Sequence, residues 1–419
     1  MIHIRQAQTA SGARVDLAIS SDQAIQIDAQ HLLILPGLID PHVHFRTPGL
    51  EEKEDWRTAA AASLQGGYTC VFDMPNTVPP TISLKALQSK QALIDQQLSE
   101  CGLPLRYRLF LGADKHYLNE IIRVKQAGIP IAGIKVFMGC STGGMLIDDS
   151  ATLEAVFRLA AEQDLLVAVH AESEAVIQQN RAQFPLPQSY AAHSCIRSTE
   201  AASAAVAQAI ALVRRYGTRL YIVHVSTAAE IGQIAQAKGE GLPVFAEVAP
   251  HHLFLSQADY GRLEGRAIMN PPLRTAADQA ALWQALREGV IDTIGSDHAP
   301  HRLAEKAKPY GDCPAGVPGI ETTLALLLDA HQQGLLSLSR MVELTSERAR
   351  EIFGLPTYED YTLVDLALKR TVFDHNLKTK CGWSPFEGKV LQGWPVKLIL
   401  NQQFYELQCA SDTDYKVHR

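Results

Sequence analysis

The stretch Leu32-Leu33-Ile34-Leu35-Pro36-Gly37-Leu38-Ile39, continued by Asp40-Pro41-His42-Val43-His44-Phe45-Arg46, is an apolar run that ends in a His-x-His pair. Successive side chains of a β-strand alternate between its faces, so His42 and His44 share one face, where two imidazoles can hold one metal ion. Arg46 shares that face. Taken alone, the pair also fits an incidental strand end at the surface. Its weight comes from later strands that end in further metal-type ligands.

The chain has 419 residues, 47% hydrophobic and 20% charged, which suits a globular enzyme with a substantial core. A net charge of −7 speaks against a nucleic-acid surface. The seven cysteines are scattered and never spaced C-x-x-C, so they read as reduced thiols rather than a disulfide framework or a cysteine-rich zinc site. Met1-Ile2-His3-Ile4-Arg5-Gln6 lacks the apolar centre of a signal peptide, and no apolar stretch is long enough for a bilayer. A cytoplasmic protein with no membrane partner is expected.

Outward from the opening stretch the pattern alternates. β-branched or aromatic runs at 33–44, 68–74, 107–111, 133–138, 165–170, 220–225, 243–248 and 291–296 are separated by turns and by helical stretches such as 53–64, 84–98, 151–162, 200–216, 228–238 and 276–288. Eight strands alternating with helices predict a closed (β/α)8 barrel of the TIM type. An open doubly wound sheet would call for a Gly-rich dinucleotide fingerprint after the first strand, and none is present. Helical stretches at 320–333 and 337–353 follow. From residue 355 the chain turns β-like, with strands expected at 361–368, 390–391 and 396–400. Segment 354–419 is expected to join residues 1–35 in a small β-sandwich domain, because neither piece alone buries much surface, leaving 36–353 as the hydrolase barrel.

In such a barrel the C-terminal strand ends converge on one mouth. Reading that ring gives His42 and His44, then Lys135, His170, His224 and Asp297. Histidines at several strand ends, together with His-x-His, point to one or two zinc-like ions. Lys135 has two readings: an ammonium paired with a carboxylate, or a carbamate formed with CO2 whose two oxygens bridge two metals. Spacing does not choose between them.

His42-Val43-His44-Phe45-Arg46, Asp73-Met74-Pro75-Asn76-Thr77, Gly133-Ile134-Lys135-Val136-Phe137-Met138-Gly139-Cys140-Ser141-Thr142-Gly143-Gly144, Val169-His170-Ala171-Glu172, Met269-Asn270-Pro271-Pro272-Leu273-Arg274 and Ser296-Asp297-His298-Ala299-Pro300-His301 resemble the motifs of dihydroorotases, in the cyclic amidohydrolase superfamily. The resemblance spans about residues 33 to 390. It implies that His42 and His44 hold a first zinc and His170 and His224 a second, that carbamylated Lys135 bridges them, and that Asp297 is both ligand and catalytic base. The implied reaction is the reversible closure of N-carbamoyl-L-aspartate to L-dihydroorotate plus water in pyrimidine biosynthesis, by way of a bridging hydroxide.

The resemblance further implies that Arg46, Asn76 and His301 grip the substrate carboxylate, with Asn270 and the Ala315-Gly316 backbone beside them. A guanidinium suits that task through bidentate, charge-assisted bonds. It also implies a homo-oligomer, dimer or tetramer, with association with aspartate transcarbamoylase as a possible further partnership. The alternatives are an allantoinase or dihydropyrimidinase, whose relatives lack the Arg46, Asn76 and His301 combination, and an inactive scaffold, whose relatives lose metal ligands. The chain departs from the pattern at Arg197-Ser198, where relatives often have Arg-Pro, and at Leu400-Asn401-Gln402-Gln403, where many carry a glycine turn. His251 and His252 are assigned to structure, and the Ser141-Thr142-Gly143-Gly144 loop to a strand-to-helix turn able to close over substrate.

Overall fold

The computed structural model describes residues 1–139, 145–184 and 189–407. The Ser141–Gly144 loop lies outside the described residues. Strands β1 (Ile2–Gln8), β2 (Arg14–Ile19), β3 (Ile25–Asp28) and β4 (Leu33–Pro36) precede the first barrel strand, β5 (Leu38–Val43). The barrel continues with β6 (Tyr68–Asp73), β7 (Arg106–Gly112), β8 (Gly133–Phe137), β9 (Val167–His170), β10 (Leu220–Ile222), β11 (Val244–Val248) and β12 (Thr293–Ile294). Each pairs in parallel with its predecessor. A parallel bridge between Val43 and His298, with His44 N–H donating to His298 O at 2.8 Å, joins the first strand to the segment after the last. The eight-stranded barrel with its outer helices is therefore as expected.

The opening apolar run divides at Gly37. Leu33–Pro36 joins the other sheet, Leu38–Val43 the barrel, and Gly37 N–H donates to Asp360 O at 2.7 Å where they part. That other sheet has seven strands, the last three being β13 (Tyr361–Thr371), β14 (Val390–Leu400) and β15 (Gln403–Glu406). β4 lies antiparallel to β13, so the two chain ends are hydrogen-bonded together. Ile2, Ile4, Ile19, Ile27, Ile34, Leu363, Val396 and Ile399 share one buried apolar cluster between them. Each such side chain contributes about 1.5–3 kcal/mol on burial.

Two expected elements shift. The first helix begins at Trp56 rather than 53, because Asp55 is extended and its carboxylate caps the N–H groups of Arg57 and Thr58. Lys53 and Glu54 thereby stay outside the helix. The stretch at 337–353 is not one helix but Leu338–Val342 and Arg348–Phe353 around a π turn at Glu343–Glu347. Among the described residues no helix is long and apolar enough to cross a membrane, and the described cysteines are free thiols.

Candidate metal centre and active site

Loop geometry after each strand decides where the mouth residues point. Arg46, His224 and Asp297 all sit in the left-handed region, at φ 64°, 40° and 46°. A side chain carrying a Cβ holds that conformation only under compulsion from its surroundings, at a cost of about 1–3 kcal/mol each, and such residues cluster at functional sites. Here all three turn into one pocket of about 380 Å³ of empty space.

The pocket brings together residues drawn from the whole ring. His42, His44, Lys135, His170, His224 and Asp297 line it, as do Arg46, Asn76, Asn270, Ala315 and Gly316. His301 stands behind Arg46, and Phe137 and Ala299 are lining residues that were not anticipated. His251 and His252 do not line it. His252 Nε2 bonds to Pro271 O at 3.0 Å instead.

Hydrogen bonding fixes which nitrogens face inward. His42 Nδ1 lies 2.8 Å from Glu247 Oε1, and His44 Nδ1 2.7 Å from Asn76 Oδ1. Both Nδ1 atoms are therefore donors, and both Nε2 atoms carry lone pairs. Those two Nε2 atoms are 3.3 Å apart, and Asp297 Oδ1 is 3.4 Å from the first and 3.2 Å from the second. Three acceptors facing one another at this distance repel unless a cation sits among them. Ligand atoms of His42, His224 and Asp297 also fall within 4.8 Å of one another. Burial, ahead of the neighbouring charges, lowers the pKa of His42, His44 and His224 well below its ordinary value, and that of His170 less far. The rings are neutral, the form that binds metal. The donor set thus fits a divalent cation.

A second pair lies beside the first. His170 Nδ1 is 3.0 Å from His224 Nε2, and its Nε2 is 2.9 Å from Glu172 Oε2. The carboxylate fixes the His170 proton on Nε2 and leaves Nδ1 for the pocket. Among the described residues His224 Nδ1 is buried with no hydrogen-bond partner.

The supporting carboxylates escaped the sequence reading. Glu247 is fully buried on β11, accepting from His42, from Tyr221 OH at 2.8 Å and from His224 N–H at 3.1 Å. Burial pushes its pKa up to about 8, while Tyr221, the His224 N–H and Lys135 pull the other way. A Cβ on Gly295 would lie 2.5 Å from the Glu247 carboxylate, so only glycine leaves this contact room. The alternation of strand β11 could have flagged Glu247 as an inward-facing acid. Its partner, 205 residues away, could not be read from pattern.

Glu172 forms a buried pair with Arg197, the residue that precedes the sequence's departure at Ser198. Burial raises the Glu172 pKa, but Arg197 and His170 outweigh it and hold the carboxyl well below the usual range. A depressed folded pKa contributes stability that is present above the unfolded value and lost as pH falls through the folded one. Arg197→Met is expected to cost about 3–5 kcal/mol at pH 7, since it strands a buried carboxylate. In the variant burial raises the acid's folded pKa above its unfolded value of about 4.3, so the deficit shrinks as pH falls from 7 through that raised value, where the folded variant takes up a proton and the folded wild type does not. Urea midpoints at pH 4 and 7 that move in parallel would rule this out.

Sequence comparison agrees with the architecture. Residues 33–358 match the amidohydrolase family. The dihydroorotase of Methanosarcina acetivorans is 35% identical over 390 residues, covering 89% of this chain and 81% of that protein. That of Halobacterium salinarum is 36% identical over 393 residues, covering 90% and 88%. Among solved structures, the L-hydantoinase (dihydropyrimidinase) of Arthrobacter aurescens superposes with a TM-score of 0.89 at 27% identity, covering 96% of this chain and 95% of that one. The dihydropyrimidinase of Brevibacillus agri gives 0.86 at 27%, covering 97% and 96%. Fold, inward-facing donors and sequence converge: the chain belongs to the amidohydrolase family and is a metal-dependent hydrolase of cyclic amides.

Proposed function

We propose that the protein is a dihydroorotase, interconverting L-dihydroorotate and N-carbamoyl-L-aspartate. The observation that carries this reading is Arg46. Its guanidinium is 2% exposed, and among the described residues no carboxylate pairs with it. Burial lowers its pKa to about 10, with Asp297 and Asp73 opposing, so it remains a cation at neutral pH. Arg46 Nε donates to Pro300 O at 3.1 Å, which holds the guanidinium toward the pocket. A buried cation without a counter-ion is costly, and a substrate carboxylate is the anion that resolves it. His301 Nε2 lies 3.1 Å from Arg46 Nη2, and Asn76, Asn270, Ala315 and Gly316 line the same pocket.

His42, His44, His170, His224, Asp297 and a carbamylated Lys135 would hold two zinc ions, which supply Lewis acidity and lower the pKa of a water. Asp297, whose Oδ1 lies 3.2 Å from His44 Nε2, would take a proton and return it to the departing ring nitrogen. Arg46 and the lining residues fix the ring so that its amide faces the histidines. Curated relatives named dihydroorotase support this reading. The hydantoinase and dihydropyrimidinase structures favour a second one, in which a ring without a carboxylate binds and Arg46 stays unpaired. Turnover of dihydroorotate, carbamoyl-aspartate, hydantoin and dihydrouracil by zinc-loaded protein separates the two. A higher kcat/KM for the neutral rings would defeat the dihydroorotase assignment.

Glu247→Gln tests the support behind His42. An amide cannot orient the imidazole as a carboxylate does, and zinc affinity is expected to fall by about 10–100-fold. Competition with a chelator of known affinity reads this directly; unchanged affinity would remove Glu247 from the account.

A further inference from the structure

His301 lies among cationic side chains. Its Nδ1 is 3.1 Å from Lys53 Nζ, and its Nε2 is 3.0 Å from Ala315 O and 3.1 Å from Arg46 Nη2. An ammonium has protons to give and no lone pair, so Lys53 can bond to Nδ1 only when that nitrogen is bare. Burial, then Arg46, Lys306 and Lys53, hold the His301 pKa well below its ordinary value, so the ring carries a single proton. That proton is on Nε2, where Ala315 O receives it. Arg46 Nη2 is then a second donor beside the first, not a partner to it.

The opposite tautomer has its own appeal. With the proton on Nδ1, Nε2 would accept from Arg46 Nη2, and that guanidinium N–H would be spent on the imidazole instead of facing the pocket. Lys53 is what opposes that arrangement. It is itself fixed, with Nζ 3.1 Å from Glu305 Oε1, while Glu305 Oε2 accepts from Arg302 N–H at 3.0 Å where the short helix Leu303–Lys306 begins. The helix starts at Trp56 rather than at 53, so Lys53 stays outside it.

We propose that Lys53 is a positioning residue that locks His301 as its Nε2–H tautomer, its proton given to Ala315 O, so that the imidazole takes up no Arg46 N–H and the guanidinium stays available to an anionic substituent of the substrate. Identifying that substituent as a ring carboxylate rests on the dihydroorotase reading. The tautomer itself does not.

Side-chain 15N NMR on zinc-loaded protein, with His301 assigned by loss of its signals in His301→Gln, reads the proton position directly. The wild type is expected to show Nε2–H, and Lys53→Met to move the proton to Nδ1. In the same variant KM for dihydroorotate is expected to rise about 10–100-fold, the worth of one charge-assisted bond, while kcat changes by less than about threefold. Lys53→Arg, another donor-only cation, is expected to restore both. Nδ1–H in the wild type overturns the proposal, and so does a Lys53→Met protein with unchanged tautomer and KM. Should Lys53→Met not fold, the wild-type spectrum alone decides. A wild type inert toward dihydroorotate would defeat the functional reading instead, leaving the NMR result to stand or fall separately.

Discussion

Lys135→Ala is expected to lower cyclic-amide hydrolysis by about 10³-fold or more, the worth of several kcal/mol of metal-derived stabilisation, and to lose bound zinc. Lys135 is 1% exposed at the barrel mouth, and among the described residues no carboxylate reaches its ammonium. Burial lowers its pKa to about 8, with Glu247 and Asp297 opposing. The neutral amine is the form that adds to CO2. A lysine titrating near 8 keeps a useful fraction of free base at neutral pH, whereas an ordinary one near 10.4 keeps very little. Carbamylation, followed by 13C NMR with labelled bicarbonate, should therefore rise between pH 6.5 and 8.5. In Lys135→Ala, acetate or propionate should partly restore both zinc and turnover by occupying the vacated space. Full activity in the metal-loaded variant without them would remove the carbamate from the mechanism.

Arg46→Gln is expected to reduce kcat/KM for dihydroorotate by about 10²–10⁴-fold while leaving zinc content unchanged. The range follows from removing one partner of a desolvated charge pair, about 3–5 kcal/mol. Arg46 touches no inward-facing histidine nitrogen, and its polar contacts are Pro300 O and the His301 ring. Hydantoin and dihydrouracil have no carboxylate to lose, so their rates should change far less. A uniform fall across all substrates would mean that Arg46 shapes the loop after β5 rather than grips an anion.

The barrel was legible because its strands are fully buried, and buried parallel strands read as continuous apolar runs between turns. The mouth was legible because each strand contributes a chemically distinctive residue at its end. What pattern could not supply was pairing across the chain. Glu247 with His42, Glu172 with Arg197, and Lys53 with His301 join residues 25 to 248 positions apart. Asn76 shows the same limit: its side-chain oxygen faces His44 at 2.7 Å, a second contact that sequence spacing did not suggest. In the terminal sheet, Gly393-Trp394-Pro395 reads as a break, but β14 runs through it as one strand from Val390 to Leu400, with Gly393 at φ 97° where the pairing register shifts.

The left-handed backbone at Arg46, His224 and Asp297 carries a consequence for protein engineering. Glycine adopts that conformation without penalty, so a thermostability screen blind to catalysis is expected to accept glycine at these positions more readily than a survey of buried side chains would suggest. Heat tolerance and turnover would then diverge at the same three codons, and variants chosen for the first should be checked for the second before they are combined.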